Sequence, residues 1–339
     1  MIHSKPMADS TTFDVIAIGD TTQDVFLEMS DASVQCDIDD KNCKICFDYA
    51  DKIAVDAKDD IPAVGNAANH AIGISRLGLK SAIYTVVGDD TQGHLSADVF
   101  KEDGVDSRYV TFDKEHGTNF SAVINFKAER TILVFHEPRT YQLPNFESTN
   151  WVYLTSASGD GVEAMHEQTH AYLEENPGVK LAFNPGTHQM HLGRQKLEPL
   201  LAKTDCLFLN REESAQVLKV DNDDPIQLIK GFKGLGVKDM VLTDGPKGAY
   251  ATDGDTVYAS GIFDGPVIER TGAGDAYGSG FLAAIIHGKE VTDAMQWGDA
   301  NATSVVQYVG AREGLLDQKG IDKIIAANSH VKPSKYATL

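Results

Sequence analysis

The sequence predicts an α/β protein: a three-layer sandwich with a mainly parallel central sheet covered by helices, plus a small β excursion at one edge. Three observations predict it. Short, almost wholly apolar runs ending in Gly or polar residues recur along the chain. Stretches with helical spacing lie between them, the pattern of a parallel sheet buried on both faces. The chain has 339 residues, 42% of them hydrophobic, enough to bury a large core.

The elements follow in order. The lead MIHSKPMADSTT has no apolar core, so it reads as a flexible terminus and not as a secretory signal. FDVIAIGD (Phe13 to Asp20) is a β-branched apolar run closed by a Gly-Asp turn, the opening strand. From Val25 to Asp60 the alternation breaks into a strand-like VFLEMS, the cysteine-rich CDIDDKNCKIC and KIAVDA. NAANHAIGISRLG has small and apolar residues at helical spacing and stops at Gly78. TVVGDD (Thr85 to Asp90) is a strand, and HLSADVFKEDG is a helix that stops at Gly104.

Gly117 to His136 reads as a hairpin, TNFSAVINF and RTILVFH about a polar turn at Lys127 to Glu129. WVYLTSAS, KLAFNPG, DCLFLN and DMVLTDG, from Trp151, Lys180, Asp205 and Asp239, repeat the strand form. REESAQVLKV, DPIQLIKGFKGLG, AGDAYGSGFLAAIIHG and VTDAMQWGDANATSVVQYVG supply the later helices, and SHVKPSKYATL reads as a frayed tail. The expected main domain comprises residues 13–24, 61–110 and 137–328. Residues 25–60 and 111–136 form the small sheet over its edge, and 1–12 and 329–339 are flexible termini. In such folds ligands bind at the carboxyl ends of the strands.

Fifty acidic residues against thirty basic ones give a net charge of -20, which argues against a nucleic-acid partner. With no apolar run of about 18 residues, no membrane-spanning helix is expected, and a cytoplasmic location is the default. In a long cytosolic chain disulfides are not expected. Cys36, Cys43 and Cys46 offer three zinc ligands, and Cys206, in a core strand, is a poor fourth. Free thiols are the expectation and zinc the alternative.

The run ERTGAGDAYGSGF, from Glu269, carries the chemistry. A helix beginning near Ala273 has first-turn amides with no intrahelical partner. Gly272 and Gly274 leave those amides open, and the helix dipole favours an anion there. Asp275 in the same turn is a candidate general base beside a phosphate cradle. It is also what a simple acidic helix start looks like, and this motif alone leaves both readings open.

At this point the residues resemble a known family. VGNAANHAIGISRLG (Val64 to Gly78) resembles the first signature of the ribokinase-like, or PfkB, carbohydrate kinases, and TGAGDAYGSGFL resembles the second. NREE (Asn210 to Glu213) lies between them where the family has Asn-x-x-Glu, IGDTTQD fits the opening strand, and LTDGPKGA fits the strand before the nucleotide loop. The resemblance covers residues 13 to 328. It implies an ATP-dependent kinase acting on a hydroxymethyl group of a sugar, as in ribokinase or fructokinase, and it implies that the excursions form a lid. A nucleoside kinase of the adenosine-kinase kind is the alternative, with Phe26, Phe47, Tyr49 and Phe120 as candidates for a base slot. A kinase relative kept only for binding is a third reading, against which Asp275 stands.

Carried over by motif, Asp275 is the base, and Gly272, Ala273 and Gly274 supply the anion-hole amides. Asn210 and Glu213 organise the phosphates and Mg2+, Glu213 through water. Asp24, with Asp20 the weaker candidate, Gly65, Asn66 and Asn69 face the acceptor. Thr243, Gly245 and Asn301 face the nucleotide. ATP and Mg2+ are the implied cofactors. K+ serves many relatives, but Glu269 and Arg270 stand where an Asp and a small residue are usual, which argues against it. Arg270 would reach a phosphate, or pair with Glu269 or another surface acid. The partner is a small-molecule sugar or nucleoside, with neither nucleic acid nor membrane, and in some members the lid builds a homodimer.

Overall fold

The computed structural model describes residues 12–37, 43–127, 129–221 and 224–339. Strand β1 (Phe13–Ile18) turns into β2 (Thr22–Glu28), followed by the short hairpin β3 (Ser33–Cys36) and β4 (Cys43–Cys46). Then come β5 (Ala57–Val64), helix α1 (Asn66–Arg76), β6 (Ser81–Gly88), α2 (Thr91–Glu102), β7 (Asp106–Asp113), β8 (Asn119–Phe126) and β9 (Glu129–Phe135). The middle of the chain runs β10 (Thr149–Leu154), α3 (Val162–Glu175), β11 (Lys180–Phe183), α4 (Thr187–His191), α5 (Arg194–Leu201), β12 (Thr204–Asn210), α6 (Arg211–Leu218) and α7 (Pro225–Lys233). It closes with β13 (Asp239–Thr243), β14 (Ala249–Asp253), β15 (Thr256–Ser260), α8 (Ala273–Ile286), α9 (Val291–Val305), α10 (Gln318–Ala327) and β16 (Ser334–Thr338).

The main sheet has ten strands in the order β16-β15-β14-β13-β12-β11-β10-β1-β6-β7. From β13 to β7 every pairing is parallel, and β14 to β16 add an antiparallel edge. The apolar runs are continuous because both faces are covered. Within β1, Val15 and Ala17 enter one core, whereas Ile16 and Ile18 enter the other. Helices α1, α8, α9 and α10 close the first core, and α3, α5 and α7 the second. Strand order reverses beside β1, whose neighbours are β10 on one side and β6 on the other, so a crevice opens at the strand ends there.

The two excursions contribute a second, four-stranded sheet in the order β5-β2-β8-β9. Its second strand from the Val25–Asp60 stretch begins at Ala57, so most of KIAVDA lies outside it. The tail expected to fray is tied down: Ser334–Thr338 pairs antiparallel with β15, and Tyr336 packs edge-on against Tyr250. The flexible lead expected over residues 1–12 lies almost wholly outside the described residues.

The cysteine expectation is also corrected. Register sets Cys36 opposite Cys43 across the β3–β4 hairpin, with Cα atoms 4.0 Å apart, and the two form a disulfide. Compartment reasoning overlooked that a hairpin places these side chains together. The pairing removes two of the three proposed zinc ligands and leaves Cys46 and Cys206 as free thiols.

Candidate active site

Gly272 precedes α8 with a φ of 76°, in the left-handed region. A Cβ there would lie 2.3 Å from Ala311 Cβ and 2.7 Å from Ala311 Cα. At Gly274 a Cβ would meet nothing within 4 Å. Gly272 thus answers a backbone demand, whereas Gly274 keeps the helix mouth open. No side chain caps α8, so its first amides remain available to an anion. The Ala273 amide is the exception, making a long 3.4 Å contact with Arg270 O.

Asn69 and Asp275 meet because α1 packs closely on α8, where Gly73 faces Ser279: a Cβ at Gly73 would lie 2.4 Å from Ser279 Oγ. Across 206 residues of sequence, Asn69 Nδ2 donates to Asp275 Oδ2 over 2.8 Å. Protein walls in this carboxyl, although the cleft leaves part of the residue open. Desolvation pushes its pKa up to about 6; the Asn69 bond opposes the rise and the Glu213 charge adds to it. His70, the neighbour of Asn69, is sealed in the core and stacked on Tyr153 with ring centroids 3.3 Å apart. It offers no competing base.

A cleft of about 230 Å³ gathers Asn66, Asn210, Glu213, Thr243, Gly274 and Asp275. Its walls are the carboxyl ends of β10 to β13. Asn184 and Ser156 also line it; sequence reasoning passed over them as strand ends. A second cleft of about 140 Å³ lies between Gly245, Gly261 and Ile262 on one side and Asp299 and Ala302 on the other. Thr243, Gly274 and Tyr277 line both clefts, so the two are continuous.

Asn210 and Glu213 form a reciprocal capping box: Glu213 N–H donates to Asn210 Oδ1 over 2.8 Å, and Asn210 N–H donates to Glu213 Oε2 over 2.9 Å. Asn210 thus caps α6, and both residues still line the cleft. Burial raises the Glu213 pKa. Gly65, with a φ of 103°, brings α1 against the Asp20 carbonyl, 2.9 Å from where a Cβ would sit. Asp24 on β2 is buried and held by Ser121; desolvation first, and then the Glu269 charge, raise its pKa to about 6.

Two expected site residues are spent elsewhere. The Asp20 carboxylate accepts from Tyr141 O–H at 2.5 Å and Ser158 O–H at 2.6 Å, a buried knot behind the site. The Asn301 amide donates to Ala276 O at 2.9 Å, and its oxygen accepts Leu316 N–H at 3.0 Å, so it clips α9 to α8. One turn of helix places Asp299 and Ala302 at the second cleft instead. An acid in the buried run AMQWGDANA was the overlooked signal.

Glu269 pairs not with Arg270 but with Arg130 of β9, at 3.2 Å. Its Oε1 also accepts Thr271 N–H at 2.7 Å, and its Oε2 accepts Gly310 N–H at 3.3 Å. The carboxylate thus joins the second sheet, the loop before α8 and the Gly310 turn. Removing it strands two amides and a guanidinium, whereas removing Arg130, which is partly exposed, leaves the carboxylate on both amides and the Thr271 hydroxyl. We expect Glu269→Ala to lower stability by about 2–3 kcal/mol and Arg130→Ala by less, read as urea midpoints. The reverse ranking would contradict this account of the junction.

A carboxylate at an open helix mouth, set in a crevice of strand ends, suits a phosphotransferase with an alcohol group as acceptor, and the family match gives that class. Residues 59–318 match the model of the pfkB family of carbohydrate kinases, and the chain belongs to that family. It is 26% identical over 340 residues to an ATP-dependent 6-phosphofructokinase of Thermoanaerobacterium thermosaccharolyticum, covering 95% of this chain and 96% of the relative. Two solved structures share the fold. Arabidopsis thaliana ribokinase complexed with ribose and ATP has a TM-score of 0.76 and 19% identity, over 93% of this chain and 99% of its own. The nucleoside kinase of Methanocaldococcus jannaschii has a TM-score of 0.75 and 20% identity, with the same coverage. Among the described residues no helix is long and apolar enough to cross a membrane.

Proposed function

We propose that the protein transfers the γ-phosphoryl group of ATP to a hydroxymethyl group of a sugar, with Asp275 as general base. The observation that carries this reading is Asp275, held from behind by the Asn69 amide, in a cleft it shares with Asn66, Asn210 and Glu213. Asp275 takes the proton of the acceptor hydroxyl. The amides of Gly272 and Gly274 face the place where charge develops, and that of Ala273 joins them by giving up its long contact with Arg270 O. Asp24, Asn66 and Asn69 orient the acceptor, and Gly65 lets it approach. Thr243 and Gly245 line the way to the nucleoside.

Bound Mg-ATP supplies the phosphoryl group, and its metal offsets the phosphate charge. The residues fit it: the open Gly274, the uncapped helix and Glu213 converge on one cleft. Glu213, with Asn210 beside it, would hold Mg2+ through water. One or two carboxylates with water and phosphate make an ordinary magnesium shell. K+ has no part in this reading, since Glu269 already meets Arg130.

A sugar is favoured over a nucleoside because the four candidate aromatics differ widely in exposure: Phe26 is buried beside Gly310, Phe47 and Phe120 are 39% and 38% exposed, and Tyr49 is fully exposed. The test is release of ADP from Mg-ATP with pentoses, hexoses, keto-deoxy acids, sugar phosphates and nucleosides. Sugar phosphates belong in the panel because one of the relatives is an ATP-dependent 6-phosphofructokinase. We expect one sugar class to exceed every nucleoside in kcat/KM at least tenfold, and a nucleoside in first place would overturn the assignment.

Strand β9 is exposed throughout and carries Ile132, Leu133, Val134 and Phe135. An apolar edge strand of this kind suits pairing with a second copy through the lid. Light scattering should give twice the 36.7 kDa chain mass; a monomer would contradict it. A cytoplasmic setting, where ATP is available, goes with this reading.

A further inference from the structure

One ion pair joins the second sheet to the loop that builds the phosphate cradle. Glu269 is 9% exposed and lines a cleft of about 490 Å³ with Arg130, Asn125 and Val309. Its Oε1 accepts the amide and the hydroxyl of Thr271, and its Oε2 accepts the Gly310 amide. Thr271 immediately precedes Gly272, and Gly310 immediately precedes Ala311, the residue against which Gly272 packs. One carboxylate therefore holds both sides of the contact on which the mouth of α8 rests.

A buried carboxylate needs positive charge beside it as well as neutral amides. Among the described residues, Arg130 is the one cation in an ion pair with Glu269, at 3.2 Å. That guanidinium comes from β9, the outer strand of the second sheet. The same sheet touches the Gly310 turn through Ile61 of β5 and Phe26 of β2. Neither Arg130 nor Glu269 lines the two clefts that meet at Gly274. We propose that Arg130 is the counter-cation of the phosphate cradle: it neutralises Glu269, and through Glu269 it holds the loop before α8 and the Gly310 turn in the arrangement that phosphoryl transfer needs. Arg130 touches neither nucleotide nor acceptor, so it is a positioning residue. A guanidinium built into the chain stands where a dissolved cation would otherwise be required, so the unsubstituted protein needs no K+. The inference rests on the phosphotransfer reading above and adds to it a residue from the second sheet.

The Arg130 side chain is 33% exposed, so the space left by truncating it is reached from solvent. The test measures ADP release by the full chain with Mg-ATP and its best acceptor. Arg130→Ala should lower kcat at least about tenfold, with both KM values within about threefold. Sub-denaturing guanidinium and K+ should each recover most of the loss. Tetramethylammonium at equal ionic strength, which screens alike but is too large for the space, should not. Arg130→Met removes the charge but fills the space, so it should fall as far and resist rescue. Arg130→Lys keeps a charge and should hold most of kcat, and the unsubstituted protein should respond to none of these ions. Free of catalysis, K+ in place of tetramethylammonium should raise the melting temperature of Arg130→Ala and leave that of the unsubstituted protein unmoved.

Undiminished kcat in Arg130→Ala overturns the proposal. So does a loss that neither ion reverses, or a melting temperature of Arg130→Ala that K+ leaves in place. Arg130→Lys falling as far as Arg130→Met, or activation of the unsubstituted protein by K+, also overturns it. Each of these results leaves the kinase reading standing, whereas no transfer from Mg-ATP to any acceptor by the unsubstituted protein overturns both. Arg130→Lys and the ion response of the unsubstituted protein need no emptied space, so they decide the matter even if Arg130→Ala folds poorly.

Discussion

Asp275→Asn is expected to cut kcat by about 10²–10⁴-fold, the usual worth of a positioned base, while Mg-ADP affinity stays within about threefold. The asparagine fills the same volume and can still accept from Asn69 Nδ2, but it cannot take a proton. The same carboxyl sets the pH dependence. With a pKa near 6, the base is ionised only above that value, so kcat/KM should fall tenfold per pH unit below about 6 and level off above it. The sign for stability is opposite. The folded pKa lies above the ordinary carboxylate value, so the native state binds the extra proton between about pH 4 and 6, and stability from this group falls as pH rises through that window. At pH 7.5 Asp275→Asn should therefore melt at or above the unsubstituted protein, and the difference should shrink toward pH 5. A variant both inactive and less stable at pH 7.5 would mean that the carboxylate holds the fold together.

Gly272→Ala is the second large effect, and Gly274→Ala is its control. At Gly272 the backbone lies in the left-handed region, and a Cβ would press on Ala311 Cα at 2.7 Å. Backbone must move, since neither atom is the end of a flexible chain. The conformation costs about 1–2 kcal/mol and overpacking about 1–3 more. The displaced segment adjoins Gly310, whose amide meets Glu269, so the loop before α8 shifts with it. We expect stability to fall by about 3 kcal/mol and kcat/KM by at least about 100-fold. Gly274→Ala differs in kind: helical and unobstructed, it should keep or slightly raise stability, yet its methyl group projects where phosphate approaches, so activity should fall with the fold intact. Equal losses of stability in the two variants would contradict the division of labour between these glycines.

Much of the architecture was legible because burial writes itself into composition. Strands such as VIAI and LFL read as apolar on both faces, and helices stop at glycines. The phosphate cradle was legible because few other demands put two glycines and an acid at a helix start, and the two signatures together narrowed it further. What failed was what depends on a partner distant in sequence. Asp20 was assigned to substrate because Tyr141 and Ser158 cannot be seen from its neighbours. Asn301 was assigned to the nucleotide because helix phase relative to a cleft is invisible without coordinates. The Cys36–Cys43 bridge needed the hairpin register, and the C-terminal strand needed an edge to join. Arg130 and Glu269 lie in separate motifs, and only the approach of β9 to the loop before α8 unites them.

The central claim is that Asp275 deprotonates an alcohol that then receives phosphate. The most direct measurement follows the γ-phosphorus of ATP by ³¹P NMR with the best acceptor from the panel. The account predicts a phosphomonoester on a primary carbon with the unsubstituted protein, and its formation slowed at least about 100-fold by Asp275→Asn. Ester formed at an undiminished rate by Asp275→Asn, or release of inorganic phosphate alone whatever the acceptor, would contradict it.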